Sequence, residues 1–198
     1  MSYFAAVLAR ADDEWVAAEV DLDEVESLDD VAEQARKALA AEEPDADDDL
    51  MVVLMEQRDE WFGVVRVDLD EDPRVFVSDA AAALRHALGE TLLPDLVVPP
   101  PADVDEVVAG IEDADPPEAD EDDAAEDAVP VVVASTSPER EPLDHPSGPT
   151  GDSGVLADLG LGSAALLDLA SSGEAPPSEV LDDLAERMGA ASAFELVR

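Results

Sequence analysis

Apolar residues run from Tyr3 to Ala9, stop at Asp12-Asp13 and return from Trp15 to Leu22 in a stretch rich in Val and Trp, the pattern of two strands and a turn. Ser27 then stands three residues before Asp30, where its hydroxyl can cap free amides and the carboxylate favours the positive end of a helix. Leu28, Val31, Ala35, Ala38 and Leu39 supply that helix with one apolar face, and Pro44 with the acidic stretch after it ends it. The order then repeats. Leu50 to Gln57 is a strongly apolar strand, Arg58-Asp59-Glu60 a turn, and Trp61 to Asp68 a returning strand. Asp72-Pro73 turns the chain, Val75 to Val77 is a short strand, and Ser78 or Asp79 opens an Ala-rich helix through Leu88.

The repetition is also textual: DEWVAAEVDLDE at residues 13–24 returns 46 positions later as DEWFGVVRVDLDE at residues 59–71. Trp15 and Trp61 each belong to the return strand of a hairpin, where a large ring packs well on a sheet. The same two rings, with Phe62, are the candidate contacts for a partner. Beyond Asp152 helical spacing resumes: Val155, Leu156 and Leu159 share a face, and Leu166, Leu167 and Leu169 form a second cluster. Pro176-Pro177-Ser178 introduces a helix carrying Val180, Leu181, Leu184 and Met188, which Gly189 stops, and Phe194, Leu196 and Val197 follow.

These elements predict an α+β fold over residues 1–93. It consists of two related β-hairpin-plus-helix units, 2–41 and 50–88, forming an antiparallel-rich sheet with helices on one face. Residues 94–151 form a Pro-rich acidic linker, holding eleven of the fifteen prolines and an acidic run from Glu112 to Asp127. Few groups there bury enough apolar area to offset the entropy of ordering, so it is expected to be disordered. Val129 to Ala134 is apolar enough for a strand within it. Residues 152–198 form a small all-helical C-terminal module, short for independent stability, and the sequence leaves open whether it docks on the first domain.

Charge alters the functional picture. Fifty-two acidic residues against ten Lys and Arg leave a formal net charge of −42 over 198 residues. Nucleic-acid binding draws its affinity from cationic groups, so direct binding of DNA or tRNA is disfavoured, whereas a basic protein would be attracted. A genomic bias towards acidic residues produces the same composition. The chain has no Cys, which excludes disulfides, thiolate metal sites and Cys nucleophiles. The first ten residues lack the basic start and longer apolar core of a signal peptide, and no apolar run approaches the roughly 20 residues that span a membrane. A cytoplasmic protein is expected.

Catalytic, cofactor and metal sites are not identified. His86 falls on the second predicted helix and His145 in the linker, neither with a neighbour at metal-ligand spacing, and no Ser-His-Asp set can be argued from them. Asp68, Asp70, Asp72 and Asp79 resemble the spacing of a calcium loop, but Pro73 stands where the loop needs glycine and the flanks are strands. The Gly160 region has no Lys for a phosphate loop.

Three stretches resemble a known family. MSYFAAVLAR at the start, DEWFGVVRVD with DPRVFVSDAAAA in the middle, and GDSGVLADLGL with LAERMG and FELVR at the end are similar to actinobacterial tRNA adenosine deaminase-associated proteins. The resemblance covers residues 1–95 and 152–198 and skips the acidic linker. It implies an accessory protein, not the deaminase: that enzyme holds zinc with His and Cys ligands, and this chain has no Cys. The expectation is therefore a non-catalytic interaction protein with no cofactor, whose acidic surface binds a basic protein partner such as a tRNA adenosine deaminase. Oligomeric state is open. A small-molecule-binding or regulatory domain is the alternative, and an enzyme of unrecognised type a third.

Overall fold

The computed structural model describes residues 3–11, 14–42, 44, 46–57, 60–69, 71–94, 147–173 and 175–198. These belong to one compact unit, Met1–Val97 with Asp144–Arg198. Asp70, His145, the acidic run, the Val129–Ala134 stretch and most of the predicted linker lie outside the described residues.

Six strands form one antiparallel sheet in the order β2-β1-β3-β4-β5-β6. They are β1 (Tyr3–Ala11), β2 (Glu14–Glu19), β3 (Asp47–Gln57), β4 (Trp61–Asp68), β5 (Arg74–Val77) and β6 (Thr150–Gly151). The two predicted hairpins thus share a sheet, joined through β1 and β3, which pair from Tyr3 opposite Gln57 to Leu8 opposite Val52. Helix α1 (Leu28–Glu42) follows the first hairpin; α2 (Ala80–Ala83) and α3 (Ala87–Leu92) follow the second. Together they cover one face, packing Val31, Ala35, Leu39, Leu88 and Leu92 on Val7, Met51, Val53, Met55, Trp61 and Val65. Helices α4 (Ser163–Ser172), α5 (Pro177–Met188) and α6 (Ala191–Phe194) cover the other. There Leu8, Leu54, Phe62, Val64 and Phe76 meet Val155, Leu156, Leu166, Leu181, Leu184 and Phe194. Burial on both faces explains why the central strands read as nearly unbroken apolar runs. It also supplies the C-terminal helices with a core that so short a segment lacks alone.

Local chemistry explains the helix boundaries. Ser27 Oγ accepts from the Asp30 N–H at 3.2 Å, while the Asp30 carboxylate accepts from the Ser27 hydroxyl at 2.8 Å and the Glu26 N–H at 3.1 Å. This reciprocal cap starts α1, and it holds the Asp30 carboxyl below its ordinary range. Pro177 opens α5, and Gly189, with φ of 78°, closes it.

Three local expectations are corrected. The Ala-rich helix predicted through Leu88 is two short helices, with Asp79 accepting from the Ala82 N–H at 2.8 Å to cap the first. Gly89 explains the break: α3 folds back so closely on α2 that any Cβ at Gly89 would overlap the Ala83 carbonyl. Leu167 points away from the Leu166 cluster and is 39% exposed, as helical geometry requires of the next residue, and Leu196 is more exposed still. Strand β6, which composition does not announce, adds residues 150–151 to β5, with Gly151 opposite Phe76. Gly151 has φ of 91° and a Cβ there would overlap the Val75 carbonyl, so only glycine fits without strain.

Candidate interaction surface

Strand register shows how the repeat is built. In the first unit Ala11 faces Glu14 with two residues between them in the chain, and in the second Gln57 faces Trp61 with three. Inner strands β1 and β3 therefore correspond with an offset of 46, as Leu8 does to Leu54. Return strands β2 and β4 correspond with an offset of 47, as Ala17 does to Val64. Because side chains alternate faces, that one residue transposes the Trp side chains. Trp15 is equivalent to Phe62, and Trp61 to Glu14.

The three candidate contact residues accordingly do not share a surface. Trp61 is fully buried beneath α1–α3, its indole N–H without a hydrogen-bond partner among the described residues. Phe62 is buried on the opposite face beside Phe76, with ring centroids 6.1 Å apart. Trp15 is half-buried on that same face at the far side of the sheet, its N–H donating to the Met188 carbonyl at 3.1 Å and the Arg10 guanidinium 5.0 Å from its ring. Two of the three rings are core, and the third seats α5 and α6 against β2.

The same offset pairs charges. Arg66 on β4 is nearly buried and donates from Nε to Asp68 at 3.0 Å, from Nη1 to the Val155 carbonyl at 3.2 Å, and from Nη2 to Asp158 at 2.9 Å. Arg74 on β5 donates to Asp68 at 2.9 Å and to Asp152 at 3.5 Å. The Arg66 bond holds the Asp158 carboxyl below its ordinary range, and its carboxylate partners raise the guanidinium's own pKa. These pairs clamp the segment after β6 onto the second unit. They also account for two of the calcium-loop candidates: Asp68 faces two guanidiniums, and Asp79 caps a helix.

In the first unit the equivalents of Arg66 and Asp68 are Glu19 and Asp21, both exposed. With Tyr3, Phe4, Ala5, Val20 and Asp23 they line a depression of about 230 Å³ that contains no basic side chain among the described residues. The Tyr3 hydroxyl accepts from the Leu22 N–H at 2.6 Å and donates to Asp21 at 3.2 Å. Burial pushes its pKa up to about 12; the Leu22 N–H opposes the rise, and Asp21 and Asp23 add to it. Glu24, Glu26 and Asp29 continue this exposed acidic rim towards α1.

A larger cleft of about 620 Å³ lies between the sheet edge and α4–α5, lined by Glu60, Phe62, Ser78, Asp79, Leu169 and Val180 among others. Its polar groups are committed locally: Ser78 Oγ accepts from the Phe62 N–H at 2.9 Å, and His86 Nε2 lies 2.9 Å from Glu60. That contact, with Arg85, keeps the Glu60 carboxyl below its ordinary range. No hydrogen bond links Ser78 to His86 among the described residues. No described helix is long and apolar enough to cross a membrane.

Fold and surface together define an acidic α+β protein built on an internal hairpin-helix repeat. The chain belongs to the Rv3753c-like tRNA adenosine deaminase-associated protein family, whose model matches residues 3–117 and 111–191. No curated protein and no solved structure matches it.

Proposed function

We propose that this protein is a non-catalytic accessory of a tRNA adenosine deaminase in the cytoplasm, binding a basic face of its partner through exposed carboxylates. The family's association with that enzyme supplies the partner class. The observation that carries the charge argument is how the few cations are used. Arg58 and Arg140 lie outside the described residues; of the other eight bases, Arg66, Arg74, Arg85, Arg187 and Arg198 each face a carboxylate. Arg10 stacks on Trp15. Little positive charge is left to meet a phosphate backbone, while the surplus of carboxylates favours cationic proteins.

Co-elution with the deaminase from the same organism, at ~50 and ~200 mM salt and with or without tRNA, tests this directly. A stoichiometric complex that weakens across that range is the expected result; no complex at either salt overturns it. The 620 Å³ cleft supports a second reading, a small-molecule regulatory site. That reading predicts a reproducible thermal shift with a metabolite in the absence of any protein partner.

A further inference from the structure

The two repeat units differ most at their outer edges. In the second unit the outward backbone groups of β4 are met by β5: the Ser78 N–H donates to the Phe62 carbonyl at 2.9 Å, and Val64 faces Phe76 and Arg66 faces Arg74 in the same ladder. Phe62, Val64 and Arg66 thus turn their N–H and C=O groups towards β5. The offset of 47 assigns the same role in the first unit to Trp15, Ala17 and Glu19. Independent support comes from the Val20 N–H, which donates to the Ala5 carbonyl at 3.0 Å, so Val16 and Ala18 turn inward and Trp15, Ala17 and Glu19 turn outward. Among the described residues no strand pairs with that outer edge.

We propose that the open edge of β2 takes up an extended segment of a partner protein, paired as β5 pairs with β4, with a basic side chain opposite Glu19 and beside Asp21. The molecule carries its own template for this contact. Arg74 sits opposite Arg66 and reaches Asp68 at 2.9 Å; at the equivalent place in the first unit stand Glu19 and Asp21, above a depression with no cation among the described residues. A strand that supplies a cation there and apolar residues opposite Ala18, Ala17 and Val16 would complete both the ladder and the charge balance. Strand addition of this kind draws affinity from main-chain hydrogen bonds and specificity from alternate side chains.

A second copy of this chain fits poorly. With Trp15, Ala17 and Glu19 outward, antiparallel pairing of β2 with its own copy sets Ala17 opposite Ala17 and Trp15 opposite Glu19, so β2 of a second copy supplies no cation opposite either Glu19. The acidic ends of β2 also guard the edge against self-pairing. This inference deepens the proposed function and takes from it only that the partner is a basic protein.

Two measurements on the full-length chain test it. The first is fluorescence anisotropy of a labelled peptide carrying the sequence of residues 73–78 followed by Lys, which reproduces β5 with its Arg. Saturable binding is expected, weakened about tenfold by Ala17→Pro, which removes an outward N–H that β1 does not use. Glu19→Lys with Asp21→Lys should weaken it at least as much, and this pair keeps every main-chain N–H of β2 should the Pro variant misfold. Binding indifferent to both variants overturns the proposal, as does no binding at all. The second is hydrogen exchange in a mixture with the deaminase, where slowed exchange at Trp15, Ala17 and Glu19 is expected. Co-elution without that protection sinks the edge contact and leaves the accessory function standing. Peptide binding without co-elution does the reverse. A concentration-dependent dimer abolished by Ala17→Pro would make the occupant a second copy and overturn the proposal.

Discussion

The return strands of the two units, β2 and β4, carry nearly the same text and do opposite things. At the second unit, Arg66 and Arg74 bring Asp68, Asp152 and Asp158 together, and the C-terminal segment is held against the strand. At the first, Glu19 replaces the arginine and the carboxylates Glu19, Asp21 and Asp23 remain at the surface. At equivalent positions an arginine stands where the chain closes on itself and a glutamate where, among the described residues, no strand pairs.

The comparison can be broken most forcefully at the two tryptophans. Trp61→Ala should cost about 3–5 kcal/mol in urea denaturation, because it empties a fully buried site under α1–α3. Trp15→Phe should cost only about 1 kcal/mol, mainly the bond to the Met188 carbonyl. Equal losses would mean the two side chains are equivalent after all and the register offset is wrong.

Next in size is Arg66→Met, expected to cost about 2–3 kcal/mol, since it removes the side chain that joins β4 to residues 155 and 158. Glu19→Met at the equivalent position should leave the urea midpoint unchanged within error. A loss of similar size at both positions would show that the first edge also closes on its own chain.

The pH dependence sharpens the same contrast. The folded pKa of Asp158 is depressed below its ordinary value of 3.8, so its contribution is present above that value and lost as pH falls through the folded pKa. The stability gap between wild type and Arg66→Met should therefore narrow below about pH 4. The effect is modest, because Asp158 is more than half exposed and solvent screens the pair. A gap unchanged down to pH 2 would remove the ion pair from the account.

Tyr3 reports on the first edge. It is the only tyrosine, so ultraviolet tyrosinate absorbance follows it alone. The folded midpoint should lie near 12 and return to about 10 in urea. Because this pKa is raised, the associated stability is complete below about pH 10 and lost as pH rises from there through 12. Asp21→Asn should lower the folded midpoint slightly, since Asp21 is a lesser cause than burial. A folded midpoint near 10 would mean the hydroxyl is solvated and the depression is not built as described.

Much of this architecture was legible because its causes are local. The Ser27–Asp30 cap, the strands around Trp15 and Trp61, the turn at Pro73, the Pro177 start and the Gly189 stop all follow from residues within a few positions of one another. The repeat was visible for the same reason. The candidate contact residues were less legible. Large aromatic rings near a turn suit a core and a binding surface equally, and only burial separates Trp61 and Phe62 from Trp15.

The sequence by itself determined the class of fold, the acidity and the absence of cysteine chemistry, since composition and short-range periodicity suffice for each. Tertiary structure alone decided which face each ring occupies, because one additional residue between the second pair of strands reverses the alternation. It decided that the C-terminal helices take the second face of the sheet, where a short segment finds the apolar area it lacks alone. It also decided that Arg66 and Asp158 meet across 92 residues while Glu19 meets no cation among the described residues, a difference of partners that no local pattern encodes.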